Sequence, residues 1–163
     1  RPFITIAAGS VWYTKQWPLE KWKDVIWNYR HYNMFFLGGK MEKEMIDLFI
    51  SEFPRLNLVN LCGELSLLQS AALMQKATMN FVNDSAPLHL ASAMNAPVTA
   101  IYCSTIPEFG FGPLSKDSHV IQTQENLACR PCGLHGKSEC PEKHFKCALT
   151  IKPEQFVQLP KLQ

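Results

Sequence analysis

Strands alternating with helices of about 10–15 residues predict an α/β fold, a three-layer Rossmann-like parallel sheet. Three observations carry that prediction. Short apolar runs rich in β-branched and aromatic residues recur along the chain, each ending at a turn of glycine or small polar residues. Between them lie segments whose apolar residues fall at helical spacing. Right-handed crossovers between such units place every strand's C-terminal end on one edge of the sheet. The 163 residues suffice for one domain with a substantial core. A hydrophobic content of 47% with 18% charged residues fits a folded chain. A net charge of +2 gives no argument for nucleic acid as a partner. No apolar run approaches the length of a membrane span.

Phe3-Ile-Thr-Ile-Ala-Ala reads as the first buried strand, ended by Gly9-Ser10. The chain lacks Met at its start and opens directly into this strand, without the pattern of a secretory leader, so it is expected to be cut from a longer one at a domain boundary. Pro18 opens a helix to about Tyr32, with Trp22, Val25, Ile26 and Tyr29 at helical spacing. Asn33 to Leu37 is the second strand, ended by Gly38-Gly39. A helix over Met41 to Phe53 is expected to pack through Met45, Leu48 and Phe49, and Pro54 stops it. Leu56 to Leu61 is the third strand, followed by a helix from Leu65 to Lys76 with Leu65, Leu68, Ala72 and Met74 as core candidates. Thr78 to Val82 is the fourth strand and Ala96 to Cys103 the fifth, ending at Ser104-Thr105. A loop over Ile106 to Leu114 leads to a short strand, His119 to Ile121, and the tail holds a short helix from Pro153 to Gln158.

The stretch Phe81-Val-Asn-Asp-Ser-Ala-Pro-Leu-His89 organises the rest. A strand end runs into Asn83, Asp84 and Ser85, which supply a turn and a helix N-cap, and Pro87 suits a first helical turn. Asp84, Ser85 and His89 are thereby presented where open α/β sheets bind ligands and where a helix start attracts phosphate. Ser10, Gly38, Gly39, Gly63, Ser104 and Thr105 fall on the same edge, and glycine there lets a ligand approach the backbone. Lys15, in the loop after the first strand, can give a point charge to a phosphate; the Gly-x4-Gly-Lys spacing of a Walker A loop is absent. Glu42 follows Gly38-Gly39 as the acidic residue that accepts ribose hydroxyls in dinucleotide folds does. Each has a plainer reading. Lys15 can be a solvated surface lysine, Glu42 a helix-start carboxylate favoured by the dipole, Asp84 an N-cap and nothing more, and His89 a satisfied first-turn histidine. Trp12, Trp17 and Trp22 read as core. There is no nucleophile elbow or Ser-His-Asp order.

The ordered motifs Gly9-Ser10, Thr14-Lys15-x-Trp17-Pro18-x-Glu20-x-Trp22, Gly38-Gly39-x-x-Glu42, Asn83-Asp84-Ser85-x-Pro87-x-His89-x-Ala91-x-Ala93 and Ser104-Thr105 resemble glycosyltransferase family nine, the bacterial lipopolysaccharide heptosyltransferases and their relatives. The resemblance covers about Ile4 to Pro113 and matches the C-terminal half of those enzymes. It implies the GT-B fold, two Rossmann-like domains across a cleft. Residues 1–163 would be the donor-binding domain, and the acceptor domain with the catalytic base would lie outside this chain. By the same resemblance Ser10 and Lys15 meet the donor diphosphate, Glu42 the nucleoside ribose, and Asp84, Ser85, Ala86 and His89 the phosphate–sugar region. The implied reaction is inverting transfer of a sugar from a nucleoside diphosphate, typically ADP-heptose, to a lipid-linked core oligosaccharide. It needs no metal and takes place in the cytoplasm, with peripheral contact at the inner membrane face. The family usually has glycine where Ala86 stands, and some relatives have a hydroxyl where Val11 stands; both bear on donor identity. A nucleotide-sugar 2-epimerase using the same crevice, or a non-catalytic nucleotide-binding module, are the other readings of these residues.

Six cysteines remain. Cys62 and Cys103 sit singly in apolar runs and read as inert buried thiols. Cys129, Cys132, Cys140 and Cys147, with His144, form a Cys-rich tail within residues 126–150. A CxxC knuckle is half of many structural zinc sites, but Cys140 with His144 or Cys147 lacks the usual second spacing, so disulfide or free thiol stands ahead of zinc. Because the base is assigned to a domain outside it, the chain alone is expected to bind donor weakly and to transfer nothing. Release of nucleoside diphosphate from donor and acceptor, measured with the purified chain, checks this, and turnover contradicts it.

Overall fold

The computed structural model describes residues 2–160 of the chain. Six strands form one sheet: β1 (Phe3–Ala7), β2 (Asn33–Phe36), β3 (Leu58–Asn60), β4 (Met79–Asn83), β5 (Val98–Tyr102) and β6 (Ser118–Gln122). Their order is β3-β2-β1-β4-β5-β6 and every neighbouring pair is parallel. The central strands read as near-continuous apolar runs because both faces are covered; every residue of β4 and β5 is buried.

Five α-helices connect or follow these strands: α1 (Trp22–Asn28), α2 (Lys43–Ser51), α3 (Leu67–Lys76), α4 (Ala86–Ala93) and the one-turn α5 (Lys146–Leu149). α1 and α2 pack Trp22, Val25, Ile26, Ile46 and Phe49 on one face of the sheet, against Ile4, Ile6, Met34, Phe36 and Phe81. α3 and α4 pack Met74, Leu88 and Ala91 on the other, against Ala7, Val82, Val98, Ala100 and Tyr102. The chain therefore changes faces between β1 and β4, which are neighbours in the sheet, and this opens a crevice at their C-terminal ends. One buried polar bridge joins the same two strands: the Thr5 hydroxyl donates to Asn80 Oδ1 at 2.5 Å, and Asn80 Nδ2 donates to the Met74 and Pro97 carbonyls at 3.0 and 2.8 Å. All of that amide's polarity is thus spent inside the core.

Several expected boundaries move. The helix expected from Pro18 begins as a 3-10 turn at Leu19–Lys21 and ends at Asn28, although Trp22, Val25, Ile26 and Tyr29 are buried as expected. The segment Pro153 to Gln158 forms only a 3-10 turn, Pro153–Gln155. Two helices also turn a different face inward. In α2, Ile46 and Phe49 are buried while Met45 and Leu48 are exposed. In α3, Ala71 and Met74 are buried, Leu68 and Ala72 lie outside, and Leu65 precedes the helix, whose N-cap is Ser66. Both helices carry two apolar stripes, and only contact with the sheet selects between them: Phe49 meets Phe36 with ring centroids 6.2 Å apart.

Residues beyond β6 complete the first face. Phe145, Cys147, Ala148, Ile151 and Phe156 join its core, and Phe156 packs on Trp17 and Phe81 with centroids 5.2 and 5.7 Å apart. Phe81 also lies under Tyr29, 4.9 Å between centroids, so one side chain links sheet, α1 and tail. Replacing Phe81 by alanine is expected to cost about 3–5 kcal/mol, read as a lower urea midpoint with an unchanged slope.

Candidate functional site

The strand ends are drawn together by Asn83. It was expected in the turn but is the last residue of β4 and fully buried. Its Nδ2 donates to the Ala8 and Gly9 carbonyls at 2.8 and 3.3 Å, and its Oδ1 accepts from the Trp17 amide at 3.2 Å. An asparagine can do this because its side chain is donor and acceptor at once. The loop after β1 is thereby folded over the end of β4. Ser85 takes the N-cap position of α4, but its hydroxyl turns back to the Asn83 carbonyl at 3.3 Å and caps no amide of the helix. Of the three residues expected to supply turn and N-cap, Ser85 and not Asp84 takes the cap, by backbone position only, and Pro87 occupies the first helical turn.

With the loop in place, Lys15 reaches Asp84. The Nζ–Oδ2 distance is 3.0 Å, with the two side chains 15% and 6% exposed. The Thr105 hydroxyl donates to the same Oδ2 at 2.7 Å. Asp84 is thus satisfied by two groups from different loops, and the ammonium is held at the sheet edge, not out in solvent. Lys15 belongs to a 3-10 turn, Tyr13–Lys15, whose Thr14 is buried. The Thr14 hydroxyl accepts from Ser104 Oγ at 3.0 Å and from the Lys137 amide at 2.7 Å.

Beside this pair lies a cleft of about 590 Å³. The ends of β1 and β2, the segment after β3 and the start of α4 line it, with Ser10, Gly39, Glu42, Ser66, Ser85 and Ala86 among its walls. One Glu42 carboxylate oxygen accepts from the Gly39 amide. The other rests on Gly9, where a Cβ would come within 1.7 Å of Oε1. Glycine at position 9 is what allows a carboxylate from β2's loop to lie across β1's end. Of the expected site residues, Ser10, Glu42, Ser85 and Ala86 line the cleft, and Lys15 and Asp84 meet just beyond it. His89 is not brought in: it is exposed on α4, its ring centroid 6.3 Å from that of Phe111. Asn83, Thr14 and Thr105 stand in the sequence motifs, and Thr105 on the expected edge, but none was assigned a role in the site, because their side chains bond to groups distant in sequence.

The model of glycosyltransferase family 9, the heptosyltransferases, matches residues 1–144. The chain belongs to this family. Among curated members it is 26% identical over 151 residues to lipooligosaccharide heptosyltransferase 2 of Campylobacter jejuni, covering 90% of this chain and 46% of that protein. It is 38% identical over 101 residues to lipopolysaccharide heptosyltransferase 2 of Escherichia coli, covering 61% of this chain and 27% of that protein. Among solved structures it matches ADP-heptose LPS heptosyltransferase II of Escherichia coli with a TM-score of 0.71 and 26% identity, covering 95% of this chain and 44% of that one. The chain thus spans about half the length of the family-9 relatives it matches.

The cysteine tail of this family-9 chain stands apart from the cleft. All six cysteines are free thiols. Cys129, Cys132, Cys140 and Cys147 line one small cavity of about 280 Å³ together with His144, whose Nε2 is 3.9 Å from Cys129 Sγ. Among the described residues no three His, Cys, Asp or Glu side chains converge closely enough to hold a metal ion. The tail is fastened instead by Arg130, half-buried, whose guanidinium donates to the Cys103 and Thr105 carbonyls at 2.7 and 2.8 Å and to Gln122 Oε1 at 2.8 Å. Burial pushes the Cys62 and Cys147 thiols up to about 11 and the Cys103 thiol well above the usual thiol range. Reactivity follows the thiolate. A maleimide at pH 7 is therefore expected to label Cys129, Cys132 and Cys140 in the native chain, and Cys62, Cys103 and Cys147 only after denaturation, as read by mass spectrometry of peptides.

Proposed function

We propose that this chain is the donor-binding half of an inverting heptosyltransferase, holding a nucleoside diphosphate sugar in the cleft beside the Lys15–Asp84 pair. The observation that carries the reading is the convergence of a fixed ammonium, an α4 start whose serine caps no amide, and the Glu42 carboxylate around one cleft at the strands' C-terminal edge. Glu42 faces the ribose hydroxyls, and Ser10, Ser85 and the amides at the start of α4 face the diphosphate. Asp84, through its remaining lone pairs, and Ala86 lie toward the sugar, while His89, exposed on α4 outside the cleft, takes no part. The name of the Escherichia coli relative of known structure supports ADP-heptose as the donor.

In this reading an acceptor hydroxyl attacks the anomeric carbon. The new C–O bond forms as the bond from that carbon to the β-phosphate oxygen breaks, and ADP leaves. The hydroxyl proton passes to a base supplied by a domain outside this chain. Lys15 and the helix start are preorganised where charge grows on the leaving diphosphate, which is how such groups lower a barrier. The acceptor is a lipid-linked core oligosaccharide, and the parent enzyme works at the cytoplasmic face of the inner membrane. No helix among the described residues is long and apolar enough to cross a membrane.

Calorimetric titration with ADP, UDP and GDP tests the reading, with ADP expected to bind tightest. Lys15→Ala is expected to weaken ADP by about tenfold or more, the loss of one charge-assisted contact. Equal affinities for the three nucleotides, or ADP affinity untouched by Lys15→Ala, contradicts it.

A further inference from the structure

The loop that carries Lys15 does not rest on the sheet alone. The Thr14 amide donates to the Lys137 carbonyl at 3.1 Å, and the Lys137 amide donates to Thr14 Oγ1 at 2.7 Å, so one residue is gripped twice by the tail. The Ser104 amide donates to the Thr14 carbonyl at 3.2 Å, and the Ser104 carbonyl accepts from the Cys132 amide at 2.8 Å. Thr14 therefore lies between the end of β5 and the tail, bonded to both. Next to it, the stem of Lys15 lies on Gly136. A Cβ at that glycine would come within 2.8 Å of Lys15 Cγ and 3.1 Å of Trp12 Cβ, and its φ of +77° is one that residues with side chains rarely adopt.

A free lysine stem has several rotatable bonds, and fixing it costs rotamer freedom. Here the tail contributes to that cost before any ligand arrives: Gly136 seats the methylenes, the Thr14 clamp holds the adjoining backbone, and Asp84 receives the ammonium at 3.0 Å. The family-9 match ends at residue 144, so the tail loop lies within it, yet it contributes no residue to the walls of the cleft.

We propose that the tail loop Gly133–Lys137 is a positioning element for Lys15, acting through Thr14 and Gly136 to set the affinity for the diphosphate of the bound nucleotide. This rests on the donor-site reading above. Lys137 and Gly136 act through Lys15 and touch no ligand themselves.

The test compares ADP with adenosine, which shares the base and ribose but has no diphosphate. Affinities are measured on the 163-residue chain by calorimetry for ADP and by displacement for adenosine. Gly136→Ala, which pushes into the lysine stem, and Thr14→Val, which removes the oxygen that receives the Lys137 amide, are each expected to weaken ADP about tenfold, about 1.4 kcal/mol. Adenosine affinity should stay within about twofold of wild type. Thr14→Ser, which keeps the oxygen, should restore ADP binding. The proposal is overturned if ADP affinity survives both substitutions, or if ADP and adenosine weaken together, as general loosening of the fold would produce. A wild-type chain that binds adenosine as tightly as ADP overturns the donor-site reading itself, and the proposal with it. A wild-type preference for ADP that both variants retain overturns the positioning role alone.

Discussion

The Lys15–Asp84 ion pair exists because β1 and β4 run side by side in the middle of a parallel sheet. Their C-terminal ends leave the sheet at the same height and in opposite directions, one toward α1 and the other toward α4. The register that pairs Ala7 with Val82 sets the distance the two loops must span. Asn83 then closes that distance by bonding to Ala8, Gly9 and Trp17. A charge pair of such low exposure is maintained only when its geometry is good and its remaining lone pairs are used. Thr105 meets that second condition from the end of β5. Three neighbouring strands are thus committed to one carboxylate.

The same arrangement sets hydrogen-bond donors around the cleft without a large positive field. Lys15 is balanced by Asp84, and the chain's net charge is only +2. In the proposed function, attraction for a diphosphate would come from local donors of fixed direction: an ammonium, a hydroxyl at Ser10, and the amides at the start of α4, none of which Ser85's side chain caps. Such donors cost little reorganisation when charge appears. Glu42 adds a carboxylate where it lies on Gly9 at the end of β1, held in place by the Gly39 amide.

The tail reads as a cysteine motif in sequence and behaves as a structural strap in three dimensions. Its thiols contribute burial: Cys147 lies in the core with Phe145, Ala148 and Ile151. Its anchor is an arginine that the cysteine spacing draws attention away from. The guanidinium of Arg130 satisfies carbonyls at the end of β5 that have no strand partner there, and burial holds its pKa below the usual arginine value. A planar group with five donors suits several carbonyls at once, which a lysine could not serve.

The alternation of strands and helices, the parallel sheet, the glycine and serine turns at its C-terminal edge, and the family motifs of Lys15, Glu42 and Asp84 can be read from the order of amino acids alone. These are legible because periodicity, turn chemistry and capping are local: each depends on residues within a few positions of one another. Folding in three dimensions is what makes β1 and β4 neighbours, turns one stripe of α2 and α3 inward, leaves His89 outside the cleft, and ties the site together through Asn83, Thr14 and Thr105. The side-chain hydrogen bonds that hold Asn83, Thr14 and Thr105 join residues 21 to 123 positions apart. Nothing in a short window of sequence records which distant partner a buried amide or hydroxyl will find; the sheet's strand order supplies that partner only once the chain has folded.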